Sequence, residues 1–161
     1  MKRVFIRPDL CTGCKTCVLS CAVAHSQSGN LFAAILERPR PYHRVFVEAA
    51  NGRKVPVLCR HCDDAPCVNA CIAGALYRDP EADAVLCDWD RCIGCWTCIM
   101  VCPYGVIQRH AELSKAVKCD LCPERDVPAC VESCPTKALV FADVDAFARE
   151  QRRTAATAAV S

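Results

Sequence analysis

The chain has few aromatic residues: five Phe, three Tyr and two Trp in 161 positions, or 6%. A conventional core of this size draws much of its buried area from large rings, so the interior here must be filled in another way. Long apolar runs are missing too. The longest, such as Leu31 to Leu36, fall far short of the ~20 residues that a membrane-spanning helix needs. Met1-Lys2-Arg3 leads through three apolar residues into Arg7-Pro8, with no hydrophobic stretch of a secretory signal. A cytoplasmic location is therefore expected, or one at the inner face of the membrane through a partner. No basic block with interleaved aromatics is present, which argues against nucleic acid. There is no Gly-rich phosphate loop, no nucleophile elbow and no paired carboxylates in a catalytic context, so the chain by itself is not expected to be an enzyme. Its length suits one domain, or two very small ones.

Cysteine is what the chain has in excess: 17 residues, sixteen of them in four runs of four. Cys11, Cys14, Cys17 and Cys21 form C-x2-C-x2-C-x3-C, and Cys92, Cys95, Cys98 and Cys102 repeat it, followed by Pro103. Cys59, Cys62, Cys67 and Cys71 form C-x2-C-x4-C-x3-C, and Cys119, Cys122, Cys130 and Cys134 form C-x2-C-x7-C-x3-C, followed by Pro135. In bacterial ferredoxin spacing, three close cysteines hold one [4Fe–4S] cluster and the fourth reaches its neighbour. Four runs thus imply four clusters with no ligand left over, and a chain of this size carrying four clusters reads as an electron wire. Soft thiolates also suit zinc, but zinc sites pair two distant knuckles, a pattern the x2-x2 runs do not follow. Fully cysteine-ligated iron leaves no open position for a substrate. The formal charge of +2 becomes about −6 once four clusters of roughly −2 each are counted. With cubanes standing in for a core, cluster binding and folding should be one event.

An internal repeat relates the runs. Cys11-Thr12-Gly13-Cys14-Lys15-Thr16-Cys17-Val18 matches Cys92-Ile93-Gly94-Cys95-Trp96-Thr97-Cys98-Ile99 at a constant offset of 81. Ala65-Pro66-Cys67-Val68-Asn69-Ala70-Cys71 resembles Pro128-Ala129-Cys130-Val131-Glu132-Ser133-Cys134, and both continue into strand-like segments, Gly74 to Tyr77 and Lys137 to Val140. A duplicated two-cluster module explains this alternation. Strands are predicted at Arg3 to Ile6, Leu76 to Arg78, Ala84 to Cys87, Val106 to Arg109 and Ala116 to Lys118. A hairpin is predicted from Arg44 to Leu58 around Asn51-Gly52. Short helices should link the third and fourth cysteines of each run, stopped at Pro103 and Pro135 because the residue before proline is pushed out of helical geometry. Gly13 and Gly94 sit where backbone wraps tightly around a cluster. Leu31 to Leu36 reads as a turn or two of helix, Val144 to Arg153 as a helix, and Thr154 to Ser161 as a frayed tail.

Cys87, the odd cysteine, reads as a small buried core residue rather than a spare ligand. His61, between two ligands, could hydrogen-bond a cluster, although packing or solvent exposure is the commoner role. Trp96 and Tyr104 either shield clusters from water or simply pack. Arg149, Arg152 and Arg153 read as a solvated helix end rather than a docking patch.

From about Arg3 to Phe147 the sequence resembles the four-cluster ferredoxin-like subunits of redox enzymes, most closely the iron–sulfur electron-transfer subunit of anaerobic carbon monoxide dehydrogenase. The resemblance lies in Cys59-Arg60-His61-Cys62-Asp63-Asp64-Ala65-Pro66-Cys67, Gly74 to Asp79, Arg91 to Trp96, Lys118 to Cys122 and Pro128 to Pro135, with softer likeness around Ala24-His25-Ser26 and Glu37 to Pro41. It implies an α+β fold of two dicluster modules, one nested in the other: an outer module of residues 1–57 and 104–161 and an inner module of 58–103. It also implies four ligand sets: Cys11, Cys14, Cys17 and Cys134; Cys59, Cys62, Cys67 and Cys102; Cys92, Cys95, Cys98 and Cys71; and Cys119, Cys122, Cys130 and Cys21. Spacing alone does not exclude sequential pairing of the first run with the second. Cys21 and Cys71 are followed by Ala22 and Ile72 where a simple ferredoxin has proline, which leaves those helix ends less sharply fixed. The implied donor is the carbon monoxide dehydrogenase catalytic subunit. The acceptor would be a hydrogenase, a flavin-dependent NAD(P) oxidoreductase or another redox protein. The same wire could instead serve a formate dehydrogenase, a molybdopterin oxidoreductase or a hydrogenase. A structural zinc protein is the remote alternative.

Overall fold

In the computed structural model, which describes residues 1–160, the strands come only in pairs. They are β1 (Lys2–Ile6), β2 (Val45–Ala50), β3 (Arg53–Leu58), β4 (Leu76–Asp79), β5 (Ala84–Cys87), β6 (Gln108–His110), β7 (Lys115–Val117) and β8 (Leu139–Asp143). All four two-stranded sheets are antiparallel, and three of them are local hairpins. The exception is β1, which pairs with β8 in the register Lys2 with Asp143 through Ile6 with Leu139 and so draws the two chain ends together. Two-stranded ribbons are marginal alone, so each must lean on something else.

Local chemistry accounts for the hairpins. Asn51 and Gly52 both take positive φ, 50° and 76°, as the tight turn between β2 and β3 requires. Between β4 and β5 the Asp79 carboxylate accepts from the Glu81 and Ala82 amides, each at 2.9 Å. β6 begins later than predicted because Val106 and Ile107 are buried in a loop, 1% and 4% exposed, instead of in the ladder.

Helices α1 (Thr16–Ala24), α2 (Leu31–Ala34), α3 (Pro66–Asn69), α4 (Thr97–Val101), α5 (Ala129–Glu132) and α6 (Val144–Ala159) complete the chain. α4 stops before Pro103 and α5 before Pro135, whereas α1 runs a turn past Cys21, where Ala22 allows it. The frayed tail is corrected for the described residues: α6 extends through Ala159. The Asp143 side chain caps it by accepting from the Asp145 and Ala146 amides. Its Ala-rich end has high helix propensity, and Thr154 and Thr157 turn their hydroxyls back to the Glu150 and Arg153 carbonyls. Ser161 lies outside the described residues.

The buried residues form two apolar clusters. One joins the first and fourth cysteine runs: Cys17, Cys21, Cys130 and Cys134 with Val4, Val45, Leu58, Val131, Ala138 and Leu139. The other joins the second and third runs, with Cys98, Ala65, Leu76 and Val85 at its centre and Cys62, Cys67, Cys71, Cys92 and Cys102 packed against it. Ile107 and Ala116 belong to this second cluster, so its apolar contacts run past residue 103. Among the described residues, no helix is long and apolar enough to cross a membrane.

Candidate metal centres

The loops that carry the cysteines are built from left-handed turns. Gly13 and Gly94 have φ of 74° and 70°, and Lys15 and Trp96, two residues on, have 60° and 65°. The repeat seen in sequence is therefore a repeat of backbone shape. It extends to side chains: Thr16 Oγ1 donates to Cys14 Sγ at 3.4 Å, and Thr97 Oγ1 to Cys95 Sγ at 3.5 Å. These bonds lower both thiols, and Cys14 and Cys95 are the two exposed cysteines. The second and fourth runs use other left-handed residues for the same purpose, His61 at 49°, Leu121 at 65° and Cys122 at 53°.

Cysteines of different runs face common spaces. One small cavity is lined by Cys59, Cys62, Cys67 and Cys102, walled by Ala65, Val106 and Ile107. Another is lined by Cys71, Cys92, Cys95 and Cys98, together with Cys87, Leu76 and Ala116. In the other core the neighbours show in the thiols themselves. Burial pushes Cys17 up to about 11, and Cys134, Cys14 and Cys11 add to the rise. Burial also raises Cys130, with Cys119, Cys21, Cys122 and Cys17 contributing. Grouped, buried thiols that resist ionisation alone need a soft cation to hold them as thiolates. An all-sulfur donor set in apolar walls fits a [4Fe–4S] cluster.

Backbone amides reach the sulfurs: Arg44 N–H donates to Cys21 Sγ at 3.1 Å, and His61 and Leu76 N–H donate to Cys59 and Cys71 Sγ, each at 3.5 Å. Sequence reasoning missed a polar group beside the fourth run. Asp120 meets His25 Nε2 at 3.1 Å, pairs with Arg44, and accepts the Cys122 amide at 3.1 Å. Burial opposes charge on both His25 and Asp120, but their mutual hydrogen bond prevails. His25 is held up at about 11 and Asp120 well below the usual carboxylate range. The available signals were an Asp inside a C-x2-C and the Ala24-His25-Ser26 likeness, neither of which identifies its partner.

His61 is 1% exposed. Burial first, then Lys118 and Arg3, push its imidazole down to about 3. Cys87 is half-buried instead of fully buried, because it stands in a cavity wall opposite Leu76 at the β4–β5 edge; burial pushes its thiol up to about 12. Trp96 lines the Cys92 cavity with Arg109 over its ring at 5.5 Å, and Tyr104 lines the Cys59 cavity with Arg60 over its ring at 5.7 Å. Arg149, Arg152 and Arg153 are exposed on α6.

Residues 50–144 match the family model described as 4Fe-4S dicluster domain, and residues 8–24 match a 4Fe-4S binding domain. The chain is 38% identical over 160 residues to an iron-sulfur protein of Rhodospirillum rubrum, spanning 89% of this chain and 83% of that one. It is 36% identical over 165 residues to the electron transport protein HydN of Escherichia coli strain K12, spanning 90% and 92%. Against protein NrfC of the same strain the figures are 38% over 143 residues, 85% and 63%. Two matched iron–sulfur domains and 17 cysteines mean multiple [4Fe–4S] clusters. The chain belongs to the dicluster 4Fe–4S ferredoxin-like family of iron–sulfur electron-transport proteins.

Proposed function

We propose that the chain relays single electrons through four [4Fe–4S] clusters, taking them from a carbon monoxide dehydrogenase catalytic subunit and delivering them to a hydrogenase, a flavin-dependent NAD(P) oxidoreductase or another acceptor. Each bound cluster supplies one-electron redox chemistry. The ligand sets are Cys11, Cys14, Cys17 and Cys134; Cys119, Cys122, Cys130 and Cys21; Cys59, Cys62, Cys67 and Cys102; and Cys92, Cys95, Cys98 and Cys71. The observation that carries this reading is the pair of small cavities, each lined by three cysteines of one run and the fourth of another.

The same contacts support a nested arrangement, with residues 58–103 as an inner module between outer segments 1–57 and 104–161. The first and fourth runs share one core, the second and third the other. They also support a linear order. Cys17 acts electrostatically on Cys130, Cys59 on Cys119, and Cys67 on Cys98. These neighbours support the order Cys11, Cys119, Cys59 and Cys92 for the four sets. The exposed Cys14 and Cys95 then mark the two ends of the wire. The protein's own work is to space the clusters, exclude water from the middle ones, and dock at both ends. The donor assignment rests on the segments from Cys59 to Cys67, Arg91 to Trp96 and Pro128 to Pro135.

The test is to mix the anaerobic brown protein with a trace of carbon monoxide dehydrogenase, add CO, and follow the visible absorbance. Fast, near-complete bleaching is expected. No bleaching, with dithionite still reducing the clusters, would discard the donor and point to a formate dehydrogenase, molybdopterin oxidoreductase or hydrogenase. A colourless preparation with zinc bound would point to the structural zinc protein instead.

A further inference from the structure

Two buried, chemistry-bearing side chains hold opposite sides of one residue. Val85, on β5, is 1% exposed. Its N–H donates to His61 Nδ1 at 3.1 Å, and its carbonyl accepts from Lys118 Nζ. Lys118 is 4% exposed and also donates to the Cys119 carbonyl at 2.7 Å. Residues far apart in sequence, one flanked by Cys59 and Cys62 and the other preceding Cys119, thus meet across one valine.

Each side chain is left with an unmet need. Because Nδ1 accepts, the neutral imidazole carries its proton on Nε2. That nitrogen is buried with no hydrogen-bond partner, and His61 lines the cavity of Cys59, Cys62, Cys67 and Cys102. A buried orphan donor costs about 1–3 kcal/mol, so an acceptor within reach is expected. Lys118 has carbonyls but, among the described residues, no carboxylate in ion-pairing distance. The nearby Asp120 is taken by Arg44 and His25. A buried cation needs a counter-charge, and Lys118 acts electrostatically on both Cys67 and Cys119, ligands of two different sets.

Building on the relay reading, we propose that the His61–Val85–Lys118 bridge sets the potentials of the two central clusters. Lys118 is their internal counter-cation, and His61 Nε2–H is the hydrogen-bond donor to the sulfurs of the Cys59 set. A fixed cation, like a donor to sulfur, stabilises the more negative reduced state over the oxidised one and so raises the potential. The bridge makes the middle of the wire easier to reduce than bare burial would allow.

The experiment is an EPR-monitored redox titration of the anaerobic holoprotein, with iron counted on each sample. Lys118→Met should keep about sixteen irons per chain and move two cluster potentials to more negative values. Lys118→Arg, which keeps the charge, should leave them near the wild type. His61→Leu should move one. Full iron with unmoved potentials in Lys118→Met overturns the proposal, as does a loaded Lys118→Arg whose potentials fall. If Lys118→Met does not load, Lys118→Gln, polar but uncharged, takes its place: it should make the same two negative shifts, and unmoved potentials in it overturn the proposal equally. For the histidine, wild-type protein labelled with 15N-histidine should show nitrogen coupling to a reduced cluster that survives in His25→Gln. Absence of any such coupling overturns that half. Wild-type iron far below about sixteen per chain would instead fail the four-cluster reading itself.

Discussion

Gly13 and Gly94 hold the same place in the repeat, yet a side chain would cost them differently. A Cβ at Gly94 would lie 2.4 Å from the Ser114 carbonyl oxygen, which is backbone and cannot yield cheaply. At Gly13 it would meet Lys54 Cγ at 2.6 Å, part of a flexible side chain. Both pay the left-handed strain of about 1 kcal/mol, so Gly13→Ala should load normally. Gly94→Ala should lose iron, or bleach at clearly lower temperature, when visible absorbance is followed on heating. Asp120 is the other informative residue. Asp120→Asn keeps the Oδ1 acceptor for the Cys122 amide and His25 Nε2 but removes the negative charge and sets an amide NH2 against Arg44. A loss of about 3–5 kcal/mol is expected for breaking a buried ion pair, measurable as a lower thermal midpoint of the holoprotein. Nothing in the local sequence pairs these residues, because His25 and Asp120 stand 95 residues apart.

Among the elements, α6 is the one whose extent differs most from expectation. Its start is defined by local chemistry, the Asp143 cap, and it is held by Phe147 stacked on Phe5 with ring centroids 4.0 Å apart. Asp143→Ala should cost about 1 kcal/mol, read from thermal bleaching. Residues 154–159 are helical yet exposed throughout, so deleting 154–161 should change the same midpoint by no more than ~0.5 kcal/mol. The hairpins were legible because turn residues act over a few positions. The β1–β8 pairing was not, since two edges at opposite ends of the chain carry no local sign of each other.

Taken whole, the molecule has two small cores organised around thiols instead of rings. Removing iron and sulfide anaerobically should abolish most of the native far-ultraviolet circular dichroism, since the thiol groups would then be left without the ion that holds them. Native-like dichroism in metal-free protein would contradict this. The two ends of the proposed wire also differ. Beside Cys14 stand Lys15, the next residue, and Lys54, packed against Gly13, both exposed and in no ion pair among the described residues. Beside Cys95, in the same cavity wall, stands Ile93, an apolar side chain that is 65% exposed. Oxidation of the reduced protein by the small anion Co(III)–EDTA should therefore slow as salt rises, despite a net charge of about −6 on the holoprotein. Lys15→Glu with Lys54→Glu should reverse that trend.

The four cysteine runs, their relation by repeat, the Asn-Gly hairpin and the proline helix stops could all be read from the chain. Each depends on residues within a few positions of one another, where covalent geometry and turn chemistry leave little freedom. Which runs share a core, how Asp120 finds His25 and Arg44, and how His61 and Lys118 come to hold the two sides of Val85 were settled only by folding. Those contacts join segments tens of residues apart, and no local preference encodes them; they arise from burying thiols and apolar side chains together.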